Sequence, residues 1–193
     1  PSGGGKSTLL RVIAGLLKPQ SGSVRVSSNP ALVFQDYRLL PWRSVRENVG
    51  LGLELAGMTR AARRARVDEQ LALVGLSDWA DRKVGELSGG MQQRVGLARA
   101  FATNAPILLM DEPFSALDPL IRTRLQDDLL AMQRTQRRTI IFVSHDLRLV
   151  SSFCDRVLVM YAGRVVEELA SGDLASAQHP YTRGLLNCMP KIG

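Results

Sequence analysis

Cysteine is almost absent: only Cys154 and Cys188 occur in 193 residues, far apart and without metal-type spacing. That excludes a disulfide scaffold and a thiolate zinc site, and fits free thiols in a reducing compartment. Aromatic residues are few, at 5%, and histidine occurs twice. No apolar run approaches the length of a membrane span, so any membrane role is expected to be peripheral. Acidic side chains are outnumbered, 18 against 25 basic ones, for a net charge of +7. Such a balance raises the question of nucleic acid or anionic lipid. The arginines are dispersed, however, apart from Arg60, Arg63, Arg64 and Arg66. That run is expected to be the solvated face of a polar helix, and no nucleic-acid partner is expected. There is no internal repeat, low-complexity tract or flexible linker. The length suits one domain over residues 1–193, with room for a subdomain and a real core.

What is abundant at the start is glycine. Pro1–Thr8 reads Pro-Ser-Gly-Gly-Gly-Lys-Ser-Thr. In the phosphate-loop pattern G-x-x-x-x-G-K-[ST], Gly5, Lys6 and Ser7 supply the last three fixed positions, and the first glycine would stand one residue before Pro1. Glycines let backbone N–H groups curl around a phosphate, and the following helix turns its positive end toward the same anion. Lys6 could then reach outer phosphates and the Ser7 hydroxyl could ligate Mg²⁺. A glycine-rich turn capping an ordinary helix is the alternative. A loop already engaged in this way is not a secretory signal.

Leu9, Leu10, Val12, Ile13, Leu16 and Leu17 recur at helical spacing, ending near Gly15–Pro19. Ser23–Val26 and Ala31–Phe34 read as short strands. Gln35 follows the second, where a nucleotide-binding sheet meets its ligand. Tyr37–Trp42 is an apolar loop that either meets a partner or packs on the chain's own helices. Val45–Leu55 and Thr59–Val74 read as helices, with Ser77–Lys83 as a linking segment. Leu87-Ser88-Gly89-Gly90-Met91-Gln92 precedes a helix over Gln93–Thr103 and forms a second anion-ready amino terminus, or a plain serine cap.

Ile107–Met110 suits a buried parallel strand. It runs into Asp111, Glu112 and Pro113, and two adjacent carboxylates at such a tip are costly without a cation nearby. Asp111 as a Mg²⁺ partner and Glu112 beside an attacking water would account for both; a solvated strand end is the alternative. Ser115–Asp118 is a tight connection, and Pro119 opens a helix ending near Arg134. Thr139–Val143 is a second buried strand closed by Ser144-His145-Asp146, with His145 suited to a phosphate contact. Arg156–Tyr161 and Arg164–Leu169 form a hairpin turning at Ala162-Gly163. The tail forms one or two short helices, one starting at His179-Pro180.

In order and approximate spacing, these stretches resemble an ATP-binding-cassette (ABC) ATPase of importer type over essentially the whole chain. Leu87–Gln92 is the most specific of them. The resemblance implies an α/β fold: a phosphate-loop NTPase core with a mostly parallel sheet plus an inserted helical subdomain, about 36–103. It implies that Gly3, Gly4, Gly5, Lys6, Ser7 and Thr8 hold ATP, and that Ser7, Gln35 and Asp111 serve Mg²⁺. Glu112 would be the general base, His145 the γ-phosphate contact, and Gln35 a contact to Mg²⁺ and water. Ser88, Gly89 and Gly90 would bind ATP held by a second ATPase subunit, identical or paralogous, and Asp118 would help join the two sites. The helical subdomain would dock a transmembrane permease at the cytoplasmic face of the inner membrane, with a solute-binding protein as indirect partner.

Leu40–Val49 and Phe114–Arg122 resemble the ATPases of choline, glycine betaine and proline betaine importers, and Leu-Pro-Trp is also found in nitrate, sulfonate and taurine importers. Cys154–Arg164 and Gln178–Arg183 instead look like oligopeptide, dipeptide and nickel importers. The expected function is ATP hydrolysis that energises uptake of a small solute, first a choline or glycine betaine-type osmoprotectant, with peptide or nickel and nitrate or sulfonate as the alternatives. A non-transport cassette ATPase and an inactive fragment are the alternatives of a different class. The family has strands before the phosphate loop and an adenine-stacking aromatic, none of which the chain contains. The expectation is a piece of a longer chain, destabilised and inactive alone.

Overall fold

The computed structural model describes residues 4–34 and 36–188, which fall into two compact units. Val26–Ile141 form the larger unit; the described residues up to Arg25 and from Phe142 onward form the other.

In the larger unit, strand β1 (Ala31–Val33) runs parallel to β2 (Ile107–Asp111), pairing Leu32 with Leu109. Strand β3 (Thr139–Val143), whose last two residues belong to the other unit, lies on the far side of β2; it is exposed at Thr139 and half-buried beyond, not the buried strand expected. The central β2 carries Leu108, Leu109 and Met110 fully buried, as a strand covered on both faces requires. Helices α2 (Val45–Val49), α3 (Leu51–Leu55) and α4 (Arg60–Leu73) all pack on α5 (Gly89–Ala102), which also lies against β1. Helix α6 (Pro119–Gln136) follows β2 with Asp118 as its cap and Pro119 in its first turn. This is the mixed α/β fold with parallel strands and a helical subdomain that the motifs imply.

Local chemistry moves several boundaries. Helix α5 begins at Gly89 rather than Gln93, because the Ser88 hydroxyl accepts the Met91 N–H at 3.3 Å and outweighs the poor helix propensity of two glycines. The expected helix over Val45–Leu55 is two short helices meeting at Gly50. Ser23–Val26 is irregular, not a strand: among the described residues no strand pairs with it, and Val24 and Val26 stay exposed. Two valines give β propensity, but a strand needs a ladder partner for its backbone.

The arginine run on α4 is more engaged than a solvated face. Arg66 pairs with Glu69 at 2.6 Å and donates to the carbonyls of Phe101 and Ala102 at 3.3 Å. It thereby satisfies the carboxyl end of α5. Arg64 keeps an exposed contact to Asp68 at 3.9 Å, of the kind worth little in water.

In the smaller unit, helix α1 (Lys6–Ile13) follows Gly5, and α7 (Leu147–Phe153) leads into the hairpin of β4 (Arg156–Tyr161) and β5 (Arg164–Ala170). Val150, Val157, Val159 and Leu174 form its core, and α8 (Pro180–Asn187) stacks Tyr181 on Tyr161 at 4.5 Å. Ala162 and Gly163 both take positive φ, 47° and 78°, the geometry of a tight hairpin turn. Among the described residues no helix is long and apolar enough to cross a membrane.

The loop before α2 hangs on one buried side chain. The Asn48 Oδ1 accepts the Leu40 N–H at 2.7 Å, while its Nδ2 donates to the carbonyls of Leu40 at 3.1 Å and Ser44 at 2.9 Å. Asn48→Ala strands the Leu40 polar groups and should cost roughly 2–4 kcal/mol in denaturant unfolding. The neighbouring capping box lends α2 a pH dependence. The Ser44 backbone N–H, then its hydroxyl, hold the Glu47 carboxyl below the usual range. A depressed carboxyl contributes stability above its unfolded value, about pH 4.3, that is lost as pH falls through the folded value. The thermal midpoint of the parent should exceed that of Glu47→Gln near pH 6, and the gap should close below about pH 4.

Candidate functional site

In the smaller unit the glycine-rich start folds as an open helix terminus. Gly5 takes φ 83°, a left-handed conformation suited to a residue without Cβ. The first helical bond runs from the Leu9 N–H to the Gly5 carbonyl at 2.9 Å, so the N–H groups of Lys6, Ser7 and Thr8 have no partner within the helix. No side chain caps this end, and no acidic residue lies in the first turn. The partial positive charge of α1 is therefore available to an anion. A Cβ on Gly4 would stand 3.7 Å from the Lys6 Nζ. The ammonium thus folds back over the loop backbone and adds a full charge to the same place. Lys6 and Ser7 are half-buried and Thr8 is exposed. Gly3 and Gln35, both expected to act here, lie outside the described residues.

His145 stands in the exposed bend between β3 and α7. The bend is held from both sides: the Ser144 hydroxyl accepts the Asp146 N–H at 3.0 Å, and the Asp146 carboxylate accepts the N–H groups of Arg148 and Leu149. The imidazole is presented at the carboxyl end of a strand on a short, self-bonded turn.

In the larger unit, Asp111 closes β2 with 8% exposure, and Glu112 follows it at φ 50°. Positive φ in a glutamate is strained. The Ser115 N–H returns to the Glu112 carbonyl at 3.2 Å, making Glu112–Ser115 a tight turn. Phe114 and Leu117 are buried beneath it. Asp118 then caps α6, accepting the Ile121 N–H at 3.0 Å. The amino end of α5 presses on the same turn. A Cβ on Gly90 would lie 3.0 Å from the Ala116 carbonyl oxygen, so this close approach requires glycine. The fold therefore gathers Ser88–Gly90, Asp111–Glu112 and Asp118 around one connection.

Two residues of α5 that the sequence reading passed over complete this arrangement. Gln93 is 1% exposed; its Nε2 donates to the Glu112 carbonyl at 3.2 Å and its Oε1 accepts the Ala116 N–H at 3.0 Å. Arg99 donates to the carbonyls of Tyr37 at 2.8 Å and Arg38 at 3.0 Å, holding the loop after Gln35. Burial lowers the affinity of the Arg99 guanidinium for its proton, and the two carbonyls offset that penalty. The signal was present: glutamine and arginine at interior positions of an otherwise apolar helix need hydrogen-bond partners.

Comparison with known proteins identifies the family. The family model described as ABC transporter matches residues 1–115. An ATP-binding protein of Brucella abortus is 48% identical over 170 residues, covering 84% of the chain and 65% of the relative. The glycine betaine/proline betaine transport system ATP-binding protein ProV of Escherichia coli is 44% identical, covering 86% of the chain and 46% of the relative. The taurine import ATP-binding protein TauB of Pseudomonas entomophila is 45% identical, covering 88% and 69%. The chain thus spans just under two thirds of the Brucella relative and less than half of ProV. Among solved structures, the dimeric post-hydrolysis state of the ATP-binding cassette MJ0796 bound to ADP and Pi superposes with a TM-score of 0.83 at 34% identity, covering 89% of this chain and 82% of that one. A family model matching residues 1–115 and more than 40% identity over at least 84% of the chain agree: the chain belongs to the ABC transporter family.

Proposed function

We propose that the chain is the ATP-binding and ATP-hydrolysing part of an ABC importer. The observation that carries this reading is the uncapped start of α1, with Lys6 folded over the glycine backbone and no acidic residue in the first turn. Three N–H groups without a partner inside the helix, a helix dipole and an ammonium suit a polyphosphate better than any neutral ligand.

On this reading Gly3–Thr8 hold ATP, with Lys6 on the outer phosphates. The residues that the resemblance assigns to a cation, Ser7, Asp111 and Gln35, carry hard oxygen donors in their side chains, a chemistry that would suit Mg²⁺. Bound there, Mg²⁺ supplies charge neutralisation on the outer phosphates. Glu112 accepts the proton of the attacking water as its oxygen bonds to the γ-phosphorus. The bond to the β–γ bridging oxygen breaks in line, and ADP departs with that electron pair. Lys6 and His145 stabilise charge on the transferred group, and Gln35 orients the water. Ser88, Gly89 and Gly90 meet ATP held by a second cassette, and Asp118 joins the two sites.

Residues 36–103 act as the helical subdomain that receives a transmembrane permease, and the protein works peripherally at the cytoplasmic face of the membrane. A solute-binding protein joins indirectly. The solute class we favour is a betaine-type osmoprotectant, supported by likeness to ProV and to the glycine betaine/carnitine protein GbuA of Listeria monocytogenes, each 44% identical. The similar identity of TauB makes a sulfonate the second reading.

Glu112→Gln should keep ATP binding within about twofold while lowering kcat by about 10²–10⁴, the range general-base removal commonly produces. Phosphate release beside a fluorescent-nucleotide titration checks it; turnover near the parent level would remove Glu112 from the chemistry. For the solute, uptake of labelled glycine betaine and labelled taurine should be compared in cells with and without the gene. Betaine uptake alone should fall; loss of taurine uptake alone would replace the first reading with the second.

A further inference from the structure

Gln93 is buried in the core, yet its side chain bonds only main chain outside its own helix. One end of its amide donates to the Glu112 carbonyl and the other accepts from the Ala116 N–H. Both partners lie in the connection between β2 and α6, Glu112 at its start and Ala116 within it. A carbonyl at one end and an N–H at the other also settle which way the amide points, because only one orientation makes both bonds. Glu112 sits at φ 50°, a conformation that persists only where its surroundings impose it. Its carbonyl already receives the Ser115 N–H. That bond closes the turn on itself but does not fix the turn to anything else. Gln93 supplies the anchor, tying the turn to a helix whose first residues are Gly89 and Gly90.

We propose that Gln93 is a positioning residue: it sets the backbone of Glu112 and links it mechanically to the amino end of α5. The inference rests on Glu112 being the base. The link is short and stiff. A Cβ added at Gly90 would come within 3.0 Å of the Ala116 carbonyl oxygen, and Gln93, one turn later, holds the Ala116 N–H. Whatever ligand meets the start of α5 is thereby felt at both ends of the Glu112–Ala116 connection. Displacing a catalytic group by about 1 Å can cost on the order of a hundredfold in rate, so loss of the clamp should appear in turnover rather than in binding.

The test replaces Gln93 by Met, which keeps length and helix propensity but removes both hydrogen bonds, and by Glu, whose carboxylate would face the Glu112 carbonyl. Steady-state ATP hydrolysis, fluorescent-nucleotide affinity and thermal midpoint are measured in the full protein, with Glu112→Gln alongside. Either variant, if folded, should lose about tenfold or more in kcat while KM and nucleotide affinity stay within about twofold. Should Gln93→Met fail to fold, Gln93→Glu is read by the same criterion. A folded variant with kcat within twofold of the parent, or one whose nucleotide affinity falls as far as its kcat, overturns the inference. If Gln93 variants keep turnover while Glu112→Gln loses it, the positioning role fails alone. Persistent turnover in Glu112→Gln sinks the assignment of the base, and the positioning role with it.

Discussion

A fourteen-residue helix with eight buried positions has little face left for solvent, and α5 is such a helix. It lies against α2, α3, α4 and β1, and Val45 and Val49 of α2 and Val67 and Leu71 of α4 are all essentially inaccessible. Packing at that density leaves few ways to shift one element without moving its neighbours. The polar residues along α5 therefore act as fixed rods. Gln93 reaches the turn after β2, Arg94 the carbonyl of Val74 at 2.9 Å, and Arg99 the loop after Gln35. The burial of this helix is what makes those reaches reproducible.

The chain's positive charge takes on a different meaning in this setting. Arg46 bridges Asp68 and Asp81, which raise its affinity for its proton. Arg66, Arg94 and Arg99 spend their donors on backbone carbonyls at helix and loop ends. A guanidinium offers several donors in a planar fork, which suits it to pin two carbonyls at once. The arginines so used are structural fasteners, and net charge alone does not report an interaction surface.

Two of the strained backbone positions are held by α5. Glu112 and Arg38 both hold positive φ, and each lies next to a carbonyl that α5 grips. A conformation disfavoured locally can be stable when tertiary bonds over-determine it. At Gly5 the same conformation arises without strain, because no Cβ is present.

Much was legible from the residues alone. The hairpin of Arg156–Tyr161 and Arg164–Leu169, the strands at Ile107 and Thr139, a serine cap at Ser88 and a helix opening at Pro119 follow from spacing and local hydrogen bonding, which act over a few residues. The glycine-lysine loop and the Leu-Ser-Gly-Gly segment were equally local. Pairing partners were not: Ser23–Val26 has strand-like residues and no ladder, because a ladder is decided by distant chain. Nor could sequence say that Arg66 closes the end of a helix 35 residues away, or that Gln93 spans 19 and 23 residues to its two partners. Periodicity and local turn chemistry determined most of the elements, and the glycine-lysine motif pointed to the residues proposed to meet a phosphate. Only tertiary packing decided which backbone groups the buried glutamine and arginines would hold, because hydrogen-bond partners in a core are chosen by three-dimensional proximity.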